Sequence, residues 1–151
     1  MTDEKDKIGF ALNRITTEQF AIIESSYFEG KRIDLKTGLR FGIDFDNESI
    51  SVFFSANLIQ EKSPFLIIET SCHFNIRKEN WYSFQTQNKM EFIVPKGFMS
   101  HLVMLTIGTT RGVLHSKTES TSFNRFSLPT LNVKEMLKQD VVFKVESEKR
   151  E

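Results

Sequence analysis

The sequence predicts an α+β fold: a four-stranded antiparallel sheet covered on one face by a long helix and a short C-terminal helix. Three features lead there. Four stretches in the first half alternate apolar and polar residues with the period of a strand. The period turns helical after Val94-Pro95. A brief run behind Asn132 has the cap and length of a short helix. At 151 residues the chain suits one domain, set here at 8–140 between a polar tail at 1–7 and a C-terminal tail at 141–151.

The first strand is expected within Thr17 to Phe28, with Phe20 and Ile22 on one face and Ala21 and Ile23 on the other. Leu39, Phe41, Ile43 and Phe45 alternate with Arg40, Gly42 and Asp44, and Asp46 to Ser49 is turn material. Ile50, Val52, Phe54, Ala56 and Leu58 resume the alternation, which makes a hairpin. Glu61 to Pro64 marks another turn, and Phe65 to Ile76 is the fourth strand, with Leu66, Ile68, Cys72, Phe74 and Ile76 on its apolar face. Arg77 to Glu91 reads as a less regular link. From Pro95, Phe98, Leu102, Leu105 and Thr109 recur at helical spacing. Met99, Val103, Met104 and Ile107 flank that stripe, so the helix is apolar round most of its circumference. One sheet covers one side only. A second subunit is therefore expected on the other, through Phe98, Met99, Leu102, Val103, Leu105 and Ile107. Ser120 to Asn124 reads as a loop, Val133 to Gln139 as a short helix, and Val141, Phe143 and Val145 as a weakly alternating tail.

Composition narrows the function classes. Hydrophobic residues make up 39% of the chain, enough for a packed core. Twenty Lys and Arg balance twenty Asp and Glu, which removes the electrostatic case for nucleic acid or an anionic membrane. No apolar run reaches the length of a membrane span, and Met1 to Lys7 has no apolar stretch behind it, so no secretory leader is expected. A lone Cys72 fits a reducing, cytoplasmic setting. Phenylalanine is the oddity: fifteen against one Trp and two Tyr, which suits either a sheet core or an aromatic surface for apolar partners.

No constellation for chemistry emerges from residue spacing. Cys72 and His73 are neighbours on a strand and point to opposite faces, and His101 and His115 lie about four helical turns apart, so no metal site forms from them. A Cys72 nucleophile with His101 or His115 as its base would have to work from an apolar strand face, where thiols are inert packing. No glycine-rich phosphate cradle is present. Asp44, Asp46 and Glu48 fall on a solvated hairpin edge. Neither an enzyme nor a cofactor is expected.

Several segments resemble the SecB family of protein-export chaperones. Phe10-Ala11-Leu12-Asn13-Arg14-Ile15 is similar to the family's opening segment, and Glu69 to Ile76 to its fourth strand. Arg111-Gly112 resembles an Arg-Gly pair near the end of its long helix. Phe126-Ser127-Leu128-Pro129-Thr130-Leu131-Asn132-Val133 resembles the segment leading into its last helix. The resemblance spans about residues 8 to 137 and rests on the order of these segments more than on any one. It implies a cytoplasmic homotetramer, a dimer of dimers joined through the long helices. It also implies an ATP-independent holdase whose hydrophobic grooves receive unfolded or pre-export polypeptide. Trp81, Tyr82 and Phe84 in the link, with Phe123, Phe126 and Leu128 in the connector, are the expected groove residues. The alternative on the same fold is an adaptor for one dedicated partner, such as an antitoxin or a secretion component. Export members share an acidic sheet surface that docks on the translocase motor. This chain is neutral and carries Arg40, Asn75 and Arg77 at outward positions, so that partnership is left open.

Overall fold

Residues 7–145 are described by the computed structural model. Period-two alternation folds the first half into β1 (Phe10–Ile22), β2 (Asp34–Asp44), β3 (Ser49–Gln60) and β4 (Ser63–Ile76). After them come α1 (Lys78–Ser83), β5 (Glu91–Val94), α2 (Lys96–Thr118), α3 (Val133–Met136) and β6 (Val141–Lys144). Short 3-10 turns stand at Glu24–Ser26 and Ser122–Arg125. The main sheet is antiparallel throughout, in the order β1-β4-β3-β2. β2, β3 and β4 form a meander, and the long connection after β1 carries the chain across to the far edge, a Greek-key order run from its first strand.

Strand pairing explains why one face is apolar. Ile50, Val52, Ala56 and Leu58 of β3 stand opposite Phe74, Cys72, Ile68 and Leu66 of β4, and all eight are buried. Each large side chain buried there contributes about 1.5–3 kcal/mol. β2 adds Leu39, Phe41 and Ile43 opposite Phe54, Val52 and Ile50. Two bulges in β1, at Asn13 and Glu18, let Phe10, Leu12, Ile15, Phe20 and Ile22 stay in phase with the same face of β4. The β3–β4 connection is a two-residue turn in which Glu61 and Lys62 both take positive φ, 47° and 73°, the twist that suits a tight hairpin. At the β2–β3 turn, Asp44 Oδ1 accepts from the Asp46 and Asn47 N–H groups. The Asn47 amide bonds its other oxygen and, as the main cause, holds the Asp44 carboxyl below its ordinary pKa.

The buried side of α2 shares one hydrophobic cluster with the inner residues of β3 and β4. That side is not the expected one. Met99, Leu102, Val103, Thr106, Ile107, Thr110, Leu114 and Thr118 are buried, whereas Leu105 is exposed and Phe98 and Thr109 are half-buried. Threonine is the reason. Thr106, Thr110 and Thr118 donate their hydroxyls to the carbonyls of Leu102, Thr106 and Leu114, so they enter the core with only methyl groups to pack.

Four other expectations change. β1 begins at Phe10 rather than Thr17 and stops at Ile22, because β4 offers partners along that whole length. The link after β4 holds α1 and β5. Residues 141–144, expected as tail, form β6, with Phe143 opposite Phe92 of β5. The helix behind Asn132 has the predicted cap, Asn132 accepting from the Lys134 N–H, but covers a single turn. The remaining tail residues, 1–6 and 146–151, lie outside the described residues.

Candidate functional site

Phenylalanine gathers at both ends of the sheet. At one end Tyr27, Phe65, Phe123 and Phe126 pack ring to ring at 5.0–6.1 Å, with the Arg125 guanidinium over Tyr27 and Phe126. At the other end Trp81 lies 4.4 Å from Phe92, and Phe45 and Phe84 close round the same ring. From there the rings continue outward, Phe84 to Phe98, Phe98 to Phe10, and Phe10 to His101, at 5.6–6.1 Å.

This second chain of rings ends in an open groove of ≈ 790 Å³, lined among others by Phe10, Phe84, Ile93, Phe98 and His101. Three elements build it. The Gly9 N–H donates to the Asn80 side chain at 2.8 Å, and the Arg77 N–H donates to the Gly9 carbonyl, which ties the start of β1 to α1. Asp140, just ahead of β6, caps α2 by accepting from the Lys96 N–H at 2.9 Å. A Cβ on Gly97 would meet nothing, so the first turn of α2 leaves that side of the groove free. The arrangement can hold an apolar or aromatic side chain against ring edges.

Beside the groove, the inner face of β1 is uncovered at Leu12 and Ile15. Leu12 and Ile15 stand opposite Phe74 and Cys72, yet they are 45% and 47% exposed, because α2 lies over β3 and β4. A second groove, ≈ 540 Å³, runs between Gly108 and Gly112 of α2 and the connector at Phe126. Arg111 pins that connector, donating to the carbonyls of Leu128 and Pro129 at 3.2 and 2.9 Å. The Arg-Gly pair and the Phe126–Val133 segment, noted separately in the sequence, thus meet in space.

The expected groove residues divide. Trp81, Phe84, Phe123 and Leu128 are buried in the core, Tyr82 is exposed but apart from the groove lining, and Phe126 is half-buried in the second groove. Phe84 reaches the first groove with one edge only. The helix residues expected at an oligomer interface are corrected likewise: Met99, Leu102, Val103 and Ile107 are buried within this chain, and Phe98 lines the groove. Of that set Leu105 faces outward, next to an unforeseen Met104 at 56% exposure. Phe10 and His101 were missed as groove residues. Their signal was weak, since it depends on the start of β1 reaching the start of α2.

On the outer face of the sheet lies a polar chain that residue spacing could not reveal. Ser51 Oγ sits 2.7 Å from His73 Nδ1, Ser71 Oγ lies 3.1 Å from His73 Nε2, and Ser71 donates to Glu18 Oε2 at 2.7 Å. Ser51 and His73 are direct partners in the β3–β4 register. Partial burial holds the His73 pKa below the usual imidazole value, and the Arg14 charge adds to this while Glu18 opposes it.

No family model matches this sequence, and no curated protein matches it. Among solved structures the chain is similar to the Mycobacterium tuberculosis Rv1957 SecB-like chaperone, solved in complex with a ChAD peptide from the Rv1956 HigA1 antitoxin. The match covers 83% of this chain and 90% of that one, at 11% identity and a TM-score of 0.43. The superposition is loose, and no residue role is carried across it.

Proposed function

We propose that this chain binds extended polypeptide segments in the groove between β1, α1 and α2, without nucleotide and without making or breaking bonds there, as an ATP-independent holdase in the cytoplasm. The open run of rings from Phe84 through Phe98 and Phe10 to His101 carries the reading. Ring edges offer contact area with little demand on client sequence. The uncovered Leu12 and Ile15 extend the apolar surface along β1. The sequence resemblance to SecB chaperones supports the same reading. Met104 and Leu105, facing outward on α2, support assembly with further copies of the chain.

One observation favours a narrower version, an adaptor for a single dedicated segment. Four of the six residues expected to receive clients are buried, so little of the expected aromatic surface is accessible.

The test is light scattering from a slowly refolding protein, with this chain added and nucleotide absent. Suppression near equal amounts, lost in Phe98→Asp, is the expected result. No suppression by an intact fold, with one stoichiometric partner in a pull-down, moves the reading to the dedicated adaptor. Failure of both, with Phe98→Asp indistinguishable from the unaltered chain, overturns the groove.

A further inference from the structure

The outer face of the sheet carries a hydrogen-bonded chain, Glu18–Ser71–His73–Ser51, whose proton positions follow from its members. A carboxylate only accepts, so Ser71 gives its single proton to Glu18 at 2.7 Å. The Ser71 oxygen is then left to accept from His73 Nε2–H at 3.1 Å. That fixes the tautomer: Nδ1 is bare, and it takes the Ser51 hydroxyl proton at 2.7 Å. A hydroxyl donating to an unprotonated imidazole, whose other nitrogen is oriented by a third group, is the arrangement of an activated nucleophile; here that group is Ser71, itself held by Glu18.

The surroundings agree. The bulge at Glu18 spends a residue to bring that carboxylate onto Ser71 while leaving the inner face in phase. Ser71 is fully buried, and Ser51 and His73 are partly exposed. On the far side of Ser51 its register partner in β2 is Gly42. A Cβ there would make only ordinary contacts, 3.7 Å from the Phe53 ring and from Ser51 Cβ, so the space beside Ser51 is not crowded from β2. Beside His73, which forms part of its wall, lies a polar depression of ≈ 320 Å³ lined by Asn13, Arg14, Asp44, Asn47, Ser49 and Asn75.

We infer that Ser51 is a reactive nucleophile with His73 as its base, and that it transfers the acyl group of small carboxylic esters. In the first step Ser51 Oγ bonds to the acyl carbon and its proton passes to His73 Nδ1. The ester C–O bond breaks, and the alcohol leaves with the proton from His73. Water then adds to the Ser51 ester and gives up a proton through His73, releasing the carboxylic acid and restoring the Ser51 hydroxyl. Ser71 and Glu18 are positioning residues.

The experiment treats the full chain with a fluorophosphonate, which bonds to a nucleophilic serine with loss of fluoride, and maps the adduct by peptide mass spectrometry. The expected result is an adduct on Ser51, absent in Ser51→Ala and formed at least tenfold more slowly in His73→Gln. No adduct at Ser51, or an unchanged rate in His73→Gln, overturns the inference. Should His73→Gln fail to fold, the pH dependence of the unaltered chain decides. A rate that rises and levels below the usual imidazole range supports the base, and one that climbs in proportion to hydroxide overturns it. Glu18→Gln should move that midpoint lower, which a purely structural role would not do.

Discussion

The two aromatic clusters are built from the same residue type and end differently. Tyr27, Phe65, Phe123 and Phe126 meet one another in a closed set of which Phe126 alone also lines a groove, whereas the row from Trp81 and Phe92 runs on through Phe98 and Phe10 into an open groove. What separates them is where the backbone is tied. Arg111 draws the connector down over the first cluster. Asn80 and Asp140 hold β1 and α2 at their ends and leave a gap between them. An aromatic-rich sequence therefore does two jobs, and the position of a ring along its cluster decides which.

The contrast can be broken most strongly at the closed end. Phe123→Ala should cost about 3–5 kcal/mol in denaturant unfolding, the range for truncating a buried aromatic, with the groove affected only through overall stability. Arg111→Met should cost about 1.5–3 kcal/mol, since two charge-assisted hydrogen bonds are lost, and should raise hydrogen exchange in the connector. At the open end Phe98→Asp should weaken binding of an unfolded client at least tenfold, about 1.4 kcal/mol, as read by fluorescence anisotropy. Ile15→Ser, on the uncovered part of β1, should change stability by less than about 0.5 kcal/mol. Outside both clusters, the lowered His73 pKa sets a small pH effect. Between that lowered value and the ordinary 6.5, the unfolded chain binds more protons than the folded one. Stability is therefore full above about 6.5 and declines as pH falls toward the folded pKa, a trend that His73→Gln should flatten in thermal unfolding.

Much of the sheet was legible because β3 and β4 bury one face, and burial writes itself as alternation: Ile50 to Leu58 and Leu66 to Ile76 show it directly. The helix was legible in length but not in orientation. Its core side uses Thr106, Thr110 and Thr118, whose hydroxyls are satisfied within the helix, so residues that read as polar behave as apolar. β5 and β6 are four residues each and stabilise one another across a long sequence separation, which no local pattern records. The groove suffers from the same limit, as Phe10 and His101 become neighbours only through the fold. So does the Ser51–His73 pair, because a slip of one residue between β3 and β4 would put the two on opposite faces.

Strand order has a consequence for how the chain comes into being. β1 is synthesised before the other three strands of its sheet, yet among the described residues its partner there is β4, with Phe10 opposite Ile76 and Ile22 opposite Leu66. The meander from β2 to β4 closes through short hairpins and needs nothing from β1. In order of synthesis, then, Ile22 and Phe20 have no partner in the sheet until Leu66 and Ile68 exist, and Phe10 none until Ile76 does. Docking of β1 closes the longest loop in the sheet and comes late, as loop-closure entropy demands.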